Sequence, residues 1–362
     1  MPKIIHGADF HLDSAFSSLP AKEAKARRQE GRVLMDQLAD LAEREGTELV
    51  LLSGDLFDGG RVYPETLGRL RLALARMGCP VFIAPGNHDP AVKNSPYVTE
   101  DWPDNVHIFL RPELEAVEVP ELGCVVYGAA FTGPDRTDAV LEGFQAPADG
   151  RIHLLCLHGD ALMPDSQYGP VAAAQLAASG LRYAALGHYH QFDGVQRAGG
   201  TFWAYPGCVQ GRGFDELGEK GVLAGWVDPS GVDLRFVPLE GSRYHILQVD
   251  VTGREPLAAL EAALPETAER DFCRLTLTGE AEAPGVDLPA LEKALKGRCR
   301  SLELRDQTRT AEDVWSRAGE DSLRGMFLQA LKERYDAAGA QEKEDILWAV
   351  KFGLAALEGR EM

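Results

Sequence analysis

Seven side chains that can bind metal ions stand at the ends of five apolar segments of this chain. They are carboxylate, imidazole and amide groups: Asp9, His11, Asp55, Asn87, His158, His188 and His190. Oxygen and nitrogen ligands of this kind, with no thiolate among them, suit cations such as Mn²⁺, Fe²⁺ or Zn²⁺. Seven ligands are too many for one tetrahedral zinc ion. The set therefore indicates two metal ions that share one bridging carboxylate.

The segments that precede these residues have the pattern of buried parallel strands. Residues 49–52 form a continuous apolar run, which is typical of a strand with both faces covered, and Asp55 follows directly after Gly54. Similar runs precede the other ligands at residues 3–7, 80–84, 152–157 and 183–186. In open α/β sheets, ligands bind at the carboxyl ends of the strands. We therefore expect the seven side chains to converge at one edge of a sheet.

Helical segments alternate with the first of these strands. Residues 21–44 and 65–77 carry apolar side chains at helical spacing, and this alternation predicts a parallel sheet with helices on its faces. Residues 106–131 contain shorter runs that favour antiparallel pairs. The Gly-rich stretch 206–220 is predicted to be a long loop, and long loops near a site are often functional.

Two further regions follow the sheet-forming part. From residue 241 the pattern is a compact β-α-β-α-β run, which predicts a small α+β domain, and beyond residue 309 two helices are predicted at 322–337 and 341–357. A chain of 362 residues also exceeds the size at which one core usually stops growing. We predict three parts with boundaries at 1–240, 241–308 and 309–362.

The composition limits the function classes. The chain is 45% hydrophobic and 26% charged, as in globular proteins, and its formal charge of −19 argues against a simple nucleic-acid binder. No apolar run is long enough to span a bilayer or to act as an export leader, so we expect a cytoplasmic protein without a membrane anchor. Six scattered cysteines without a CxxC pair are expected to be reduced core thiols.

The candidate ligands fall into five motif blocks. These are Asp9-Phe10-His11, Gly54-Asp55, Gly86-Asn87-His88-Asp89, His158 and Gly187-His188-Tyr189-His190. Singly, each has a structural explanation, such as a turn or cap for the aspartates. Together, and in this order, they resemble the calcineurin-like metallophosphoesterases over residues 1–240. The resemblance implies an α/β fold, a two-sheet α/β/β/α sandwich, followed here by a small α+β capping domain and C-terminal helices.

A narrower resemblance is to the SbcD-type nucleases that repair DNA double-strand breaks. It rests on Gly54-Asp55-Leu56-Phe57-Asp58 and on the pattern from Tyr205-Pro206-Gly207 through Phe214-Asp215-Glu216 to Lys220-Gly221. In that family the domain corresponding to residues 241–308 caps the site and restricts the substrate. The family also uses C-terminal helices to grip the coiled-coil root of an SbcC-type ABC ATPase. Without a partner, the hydrophobic stripes of the two C-terminal helices would pack on their own domain.

The resemblance also assigns roles to the ligands. Asp9, His11 and His190 would hold one metal ion and Asn87, His158 and His188 the other, with Asp55 as the bridge. The expected ions are two Mn²⁺, with Fe²⁺ or Zn²⁺ as alternatives. Such a pair activates a water molecule and stabilises the attacking and leaving oxygens of a phosphoryl displacement.

Three further residues are candidates for catalysis or substrate binding. His88 would contact the phosphate or protonate the leaving oxygen, because an imidazole can transfer protons near neutral pH. Asp89 would orient His88. Arg212, in the Gly-rich loop, has two readings: a solvated turn, or a guanidinium that grips phosphate.

The first functional hypothesis is a Mn²⁺-dependent DNA exonuclease or phosphodiesterase that acts in DNA repair with an ATPase partner. The second keeps the metal centre but assigns a small nucleotide or phosphoprotein substrate. The third is a scaffold without catalysis, and the complete ligand set argues against it. A homodimer is left open.

Overall fold

The computed structural model describes residues 1–59, 62–281, 285–310 and 315–358. The strands are β1 (Lys3–Gly7), β2 (Leu49–Leu52), β3 (Val81–Ile83), β4 (Val106–Ile108), β5 (Glu115–Val119), β6 (Cys124–Ala129), β7 (Ile152–His158), β8 (Tyr183–Gly187), β9 (Gln196–Ala198), β10 (Thr201–Ala204), β11 (Gly221–Val227), β12 (Val232–Pro238), β13 (Tyr244–Asp250), β14 (Phe272–Thr278), β15 (Glu280–Ala281), β16 (Ser301–Asp306) and β17 (Arg309–Thr310). The α-helices are α1 (Ala21–Glu45), α2 (Pro64–Met77), α3 (Pro96–Thr99), α4 (Ala173–Ala178), α5 (Pro256–Ala263), α6 (Leu288–Ala294), α7 (Leu323–Ala337) and α8 (Ala340–Glu358).

Two six-stranded sheets form the first part of the chain. The first has the order β12-β11-β1-β2-β3-β4, and its β1 to β4 strands are parallel. The second has the order β5-β6-β7-β8-β10-β9, with a parallel centre from β6 to β10. The strands that carry the candidate ligands are therefore central and parallel in both sheets.

The continuous apolar run of β2 is explained by its position between two cores. Leu49 and Leu51 face the second sheet and pack in one core with residues such as Leu154. Val50 and Leu52 face the opposite way and pack against α1 and α2. A strand covered on both faces needs apolar residues at every position.

A third core lies on the outer face of the second sheet, where the sheet packs against α4. Leu155, Leu157 and Leu176 belong to this core. The layers are helix, sheet, sheet and helix, and the predicted two-sheet α/β/β/α sandwich is confirmed.

The antiparallel pairing expected within residues 106–131 is confirmed for two of its three strands. Residues 106–131 were expected to form antiparallel pairs, and β5 and β6 do so, but β4 pairs parallel to β3 at the edge of the first sheet. A three-residue strand is too short for its neighbours in sequence to indicate its partner.

A buried histidine joins the two sheets. His6 of β1 is fully buried, and its ring nitrogens lie 2.8 Å from the Tyr183 hydroxyl and 3.1 Å from the Leu186 carbonyl oxygen. Burial lowers the pKa of His6 to about 3, so the ring is neutral at physiological pH. His6 thus ties the strand that leads to Asp9 to the strand that leads to His188.

The chain divides into two compact units. Unit 1 comprises residues 1–246, 267–273 and 299–301, and unit 2 comprises 247–266, 274–298 and 302–362. The proposed boundaries at 240 and 308 remain a prediction. Positions 282–284, 311–314 and 359–362 lie outside the described residues.

The second unit contains two small cores of its own. One is built from residues of β13, β14 and β16 with α5 and α6, including Leu260 and Leu275. The other joins α7 and α8 through Leu328, Ile346 and Val350. Among the helices of the described residues, none has the length and apolarity needed to cross a lipid bilayer.

Candidate metal centre

The loops that follow β1 and β2 run side by side at the edge of the first sheet. The Asp9 amide donates to the Gly54 carbonyl over 3.0 Å, and the His11 amide donates to the Asp55 carbonyl over 2.9 Å. Asp9, His11 and Asp55 have φ angles of 53°, 44° and 51°. Non-glycine residues rarely adopt this left-handed region, and such strain concentrates at functional sites.

Two glycines allow the loops to approach this closely. A Cβ atom on Gly86 would lie 2.1 Å from Asp55 Oδ1, and one on Gly187 would lie 1.9 Å from the Ser53 carbonyl oxygen. Both contacts are far inside van der Waals distance, and the second is with rigid backbone. The glycines of these two motif blocks are therefore required by close packing around the ligands.

The first ligand group consists of Asp9, His11 and His190, whose ligand atoms all lie within 4.8 Å of one another. His190 Nε2 is 3.6 Å from Asp9 Oδ1 and 3.1 Å from His11 Nε2. Asp9 and His11 are buried, and His190 is partly buried. Two imidazole nitrogens therefore face each other beside a buried carboxylate.

The second ligand group forms around Asp55 and His158. His158 Nε2 lies 3.5 Å from Asp55 Oδ2 and 2.9 Å from Asn87 Oδ1. The same Asp55 Oδ2 is 3.7 Å from His11 Nε2, in the first group. Asp55 Oδ1 instead accepts the backbone amide of His88 over 2.9 Å. One carboxylate oxygen thus faces both groups while the other is held by the backbone.

His188 stands at the margin of this cluster. Its ring centroid is 5.4 Å from that of His158, and its Nε2 lies 4.0 Å from Asp160 Oδ2. Its backbone amide donates to Asp9 Oδ2 over 3.1 Å, with φ at 117°. The His188 ring thus lies beside His158, with which it is expected to share an ion, while its backbone amide contacts Asp9 of the first group.

The carboxylate that contacts His88 is Asp58 rather than Asp89. His88 Nδ1 lies 3.1 Å from Asp58 Oδ1, and this hydrogen bond raises the pKa of His88. Asp89 accepts the amides of Gly86 and Phe57 at 2.8 and 3.0 Å, so it shapes the loop around Asn87. Burial, followed by the nearby charge of Asp55, raises the pKa of Asp89 to about 6.

Arg212 belongs to a partly buried ion-pair network that includes His190 of the first group. Glu216 accepts from His190 Nδ1 over 2.7 Å and from Arg212 Nη2 over 3.0 Å. The Arg212 amide also donates to Glu216 Oε2 over 2.7 Å, and its Nη1 lies 3.9 Å from Asp58 Oδ1. Arg212 is thus held between the carboxylates of Glu216 and Asp58.

The field of these carboxylates favours positive charge at His190. Burial alone lowers the pKa of His190, but the contacts with Asp9 and Glu216 outweigh it and raise that pKa to about 9. Burial likewise opposes ionisation of Asp9, yet His190, His158 and His11 together lower the pKa of this carboxyl. A site with this field stabilises a bound cation as well as a proton.

The donor set fits divalent cations of the borderline class. His158 Nδ1 donates a hydrogen bond to the Ser53 carbonyl oxygen over 2.9 Å, and its Nε2 lies 2.9 Å from Asn87 Oδ1, so the backbone fixes which ring nitrogen faces the other ligands. Glu216 fixes His190 in the same way. Imidazole nitrogens and carboxylate or amide oxygens that converge in this way are ligands that borderline divalent cations accept.

Sequence reasoning missed three groups that hold this arrangement: Asp58, Glu216 and the Ser53 carbonyl. Asp58 follows Asp55 by three residues, and Glu216 lies in the loop already expected to be functional, so both offered a signal. A backbone carbonyl such as that of Ser53 leaves none, because every residue has one.

The sequence profile of the calcineurin-like phosphoesterases matches residues 2–192. The chain is 29% identical over 315 residues to YhaO of Bacillus subtilis, an uncharacterized metallophosphoesterase, and the match covers 81% of this chain and 76% of YhaO.

Two relatives have nuclease or repair names. The chain is 26% identical over 257 residues to the DNA double-strand break repair protein Mre11 of Aeropyrum pernix, covering 64% of this chain and 59% of Mre11. It is 25% identical over 147 residues to the SbcD component of the nuclease SbcCD of Staphylococcus epidermidis, covering 39% of this chain and 36% of that component. The matches to these two proteins therefore span less than two thirds of their lengths.

Proposed function

The chain belongs to the calcineurin-like phosphoesterase family, and from that premise we propose that it is a DNA nuclease with a two-ion centre. The family assigns it to the hydrolases of phosphoester bonds. The observation that carries the proposal is Asp55 Oδ2, which lies 3.7 Å from His11 Nε2 and 3.5 Å from His158 Nε2. One oxygen that faces both ligand groups is what a bridging carboxylate requires.

The ligands divide between two ions around that bridge. Asp9, His11 and His190 would hold one ion, and Asn87, His158 and His188 the other, with Asp55 shared. Two such ions would supply the Lewis acidity that activates water and stabilises the attacking and leaving oxygens of an in-line displacement. Mn²⁺ is the proposed metal, with Fe²⁺ or Zn²⁺ as alternatives that the same donors accept.

His88 is proposed as the proton donor to the leaving oxygen. Its side chain is 45% exposed, so it can reach a substrate, and the hydrogen bond that His88 donates to Asp58 favours the protonated form of the ring. Asp58 fixes the ring orientation, and Ser14 holds Asp58 in turn through a hydrogen bond of 2.6 Å. Asp89 contributes through the backbone of the Asn87 loop.

Arg212 is proposed to contact the phosphate. Its side chain is 24% exposed, and its guanidinium is held between Glu216 and Asp58. These contacts fix the orientation of the planar group and use only some of its N–H donors. A fixed guanidinium loses less entropy when it binds a phosphate oxygen. The second reading, a solvated turn, does not explain a backbone amide and a guanidinium that share one buried carboxylate.

DNA is proposed as the substrate because two relatives are named as a nuclease component and a DNA repair protein. The net charge of −19 restricts any positive surface to a local one, so binding should be salt-sensitive. The alternative substrate is a small phosphodiester, nucleotide or phosphoprotein. It is kept because the relative matched over 81% of this chain has no assigned activity.

An ABC-type ATPase with a coiled coil is proposed as the partner of α7 and α8. Leu323 and Met326 of α7 are 70% and 69% exposed, and Trp348 and Phe352 of α8 are 52% and 57% exposed. Exposed apolar surface of this kind is typical of protein interaction sites where it forms a contiguous patch, and it supports this proposal. The cytoplasm is the proposed location, since the six cysteines are buried free thiols.

A comparison of two substrates tests the proposed activity. The purified protein with Mn²⁺ should degrade linear DNA, and Asp55→Asn, which keeps the size of the side chain, should not. Hydrolysis of a small aryl phosphodiester with the DNA left intact would replace the nuclease with the alternative function. Hydrolysis of neither, with bound metal, would favour a scaffold.

A further inference from the structure

Tyr189 lines two clefts in unit 1. The larger has a volume of about 500 Å³ and the smaller about 290 Å³. Tyr189 is 43% exposed and stands in sequence between the candidate ligands His188 and His190. Tyr189 lines the larger cleft together with His190 and Glu216, so a group stacked on Tyr189 in that cleft lies near these two residues.

The larger cleft borders the metal centre directly. Its lining includes His190 and Glu216 of the first ligand group's surroundings, and also Phe192 and Phe236. These two rings are stacked with centroids 5.5 Å apart and planes at 12°, and both are only partly buried. The cleft therefore presents flat aromatic surface next to the ligand His190.

The charges of the larger cleft argue against phosphate as its occupant. Asp215, Glu216 and Glu219 line it, and Lys220 is the single lysine or arginine among its described lining residues. An anion in this cleft would face more negative than positive charge. A neutral planar group with hydrogen-bond donors fits both the rings and the carboxylates.

We propose that the larger cleft binds the nucleobase of the nucleotide next to the scissile phosphate, with Tyr189 as the stacking surface. The inference rests on the proposed nuclease function and extends it to unpaired DNA, because a base can enter the cleft only when it has left the duplex. Base stacking on aromatic side chains is tolerant of sequence. The exocyclic amines of adenine or cytosine would donate to the carboxylates at the rim.

The test compares Tyr189→Leu with Tyr189→Phe, which keeps the ring. The substrates are a single-stranded deoxyadenosine 10-mer and the same strand with abasic sites, both with Mn²⁺ at fixed salt. Tyr189→Leu should raise KM for the 10-mer about tenfold and leave kcat within about twofold. Tyr189→Phe should resemble the unaltered protein, as should Gln196→Ala, which alters only the smaller cleft.

The abasic strand separates stacking from a general effect on the site. The unaltered protein should show the same tenfold higher KM on the abasic strand, and Tyr189→Leu should add nothing to it. An unchanged KM for Tyr189→Leu, or equal losses on both strands, would overturn the base subsite and leave the nuclease proposal standing. Absence of DNA cleavage by the unaltered protein would instead remove the nuclease proposal and the subsite with it.

Discussion

The two ligand groups of the metal centre are oriented by different kinds of partner. His190, in the first group, is held through Nδ1 by the side chain of Glu216 at 2.7 Å. His158, in the second group, is held through Nδ1 by the backbone carbonyl of Ser53 at 2.9 Å. A carboxylate adds charge and can be removed by one substitution, whereas a carbonyl cannot. The first group should therefore be tunable and the second should be fixed by the fold.

Loss of Asp55 should have the largest effect, because its Oδ2 faces both groups. Asp55→Asn should reduce DNA hydrolysis by about 10³-fold or more, since both ions lose a charged ligand. The measurement is kcat/KM with Mn²⁺. Activity within tenfold of the unaltered protein would show that the groups do not depend on a shared ligand.

Substitution of His88 should have the second largest effect on DNA hydrolysis and should leave both ligand groups intact. His88→Ala should lower kcat by about 10²–10⁴-fold while metal content is unchanged, because it removes proton transfer and no ligand. Asp58→Asn should give a smaller loss in kcat. It should also shift the fall of kcat at high pH to lower pH, because the hydrogen bond that raises the pKa of His88 is weakened. Metal loss in His88→Ala would place His88 among the ligands instead.

Removal of the Glu216 carboxylate, which holds His190, should affect metal binding by the two ligand groups differently. Glu216→Gln should weaken binding of one ion about 10–100-fold, as expected for the loss of a partner that orients a ligand, and leave the other ion in place. Ser53→Ala is the matched control, because it removes the hydroxyl and keeps the carbonyl that holds His158. Equal weakening of both ions in Glu216→Gln would contradict the difference between the groups.

The pH dependence of metal binding should follow the same division. Without metal, the pKa of His190 is raised to about 9, so below that pH a proton must leave before an ion binds. Affinity for the ion of the first group should therefore rise with pH, by up to about tenfold per unit, and level off near pH 9. In Glu216→Gln the plateau should begin at lower pH. Isothermal titration with Mn²⁺ at several pH values measures this shift.

Substitution of Arg27, which supports the Gly-rich loop, should have the smallest effect on metal binding. Arg27 of α1 is fully buried and donates to the Gly211 carbonyl over 2.5 Å, next to Arg212. Arg27→Met leaves that carbonyl without its donor, so the free energy of unfolding should fall by about 1–3 kcal/mol. Binding of the first-group ion should weaken a few-fold and that of the second-group ion should not change. Thermal and metal titrations of the variant measure both effects.

The fold could be predicted because its information lies in local runs of residues. The apolar segments before Asp9, Asp55 and His158 identified central strands, and parallel strands place their carboxyl ends together. The convergence of most ligands followed from that rule. The pairing of β4 with β3 could not be predicted, since a three-residue strand carries too little pattern to indicate its partner.

The details of the site could be predicted less well, because they depend on the direction of side chains in loops. Asp89 is adjacent to His88 in sequence, yet it binds the amides of Phe57 and Gly86, while Asp58 reaches His88 from another loop. Neighbouring residues in a tight loop point in different directions, so adjacency does not imply contact. The order of the motifs also did not indicate that the backbone amide of His188 contacts Asp9.

The most direct test of the metal centre is the number of Mn²⁺ ions bound per chain, measured by elemental analysis after equilibration and removal of free metal. The account predicts about two ions for the unaltered protein, about one for Glu216→Gln and fewer than one for Asp55→Asn. One ion in the unaltered protein, or two in Asp55→Asn, would contradict a pair of sites joined by this carboxylate.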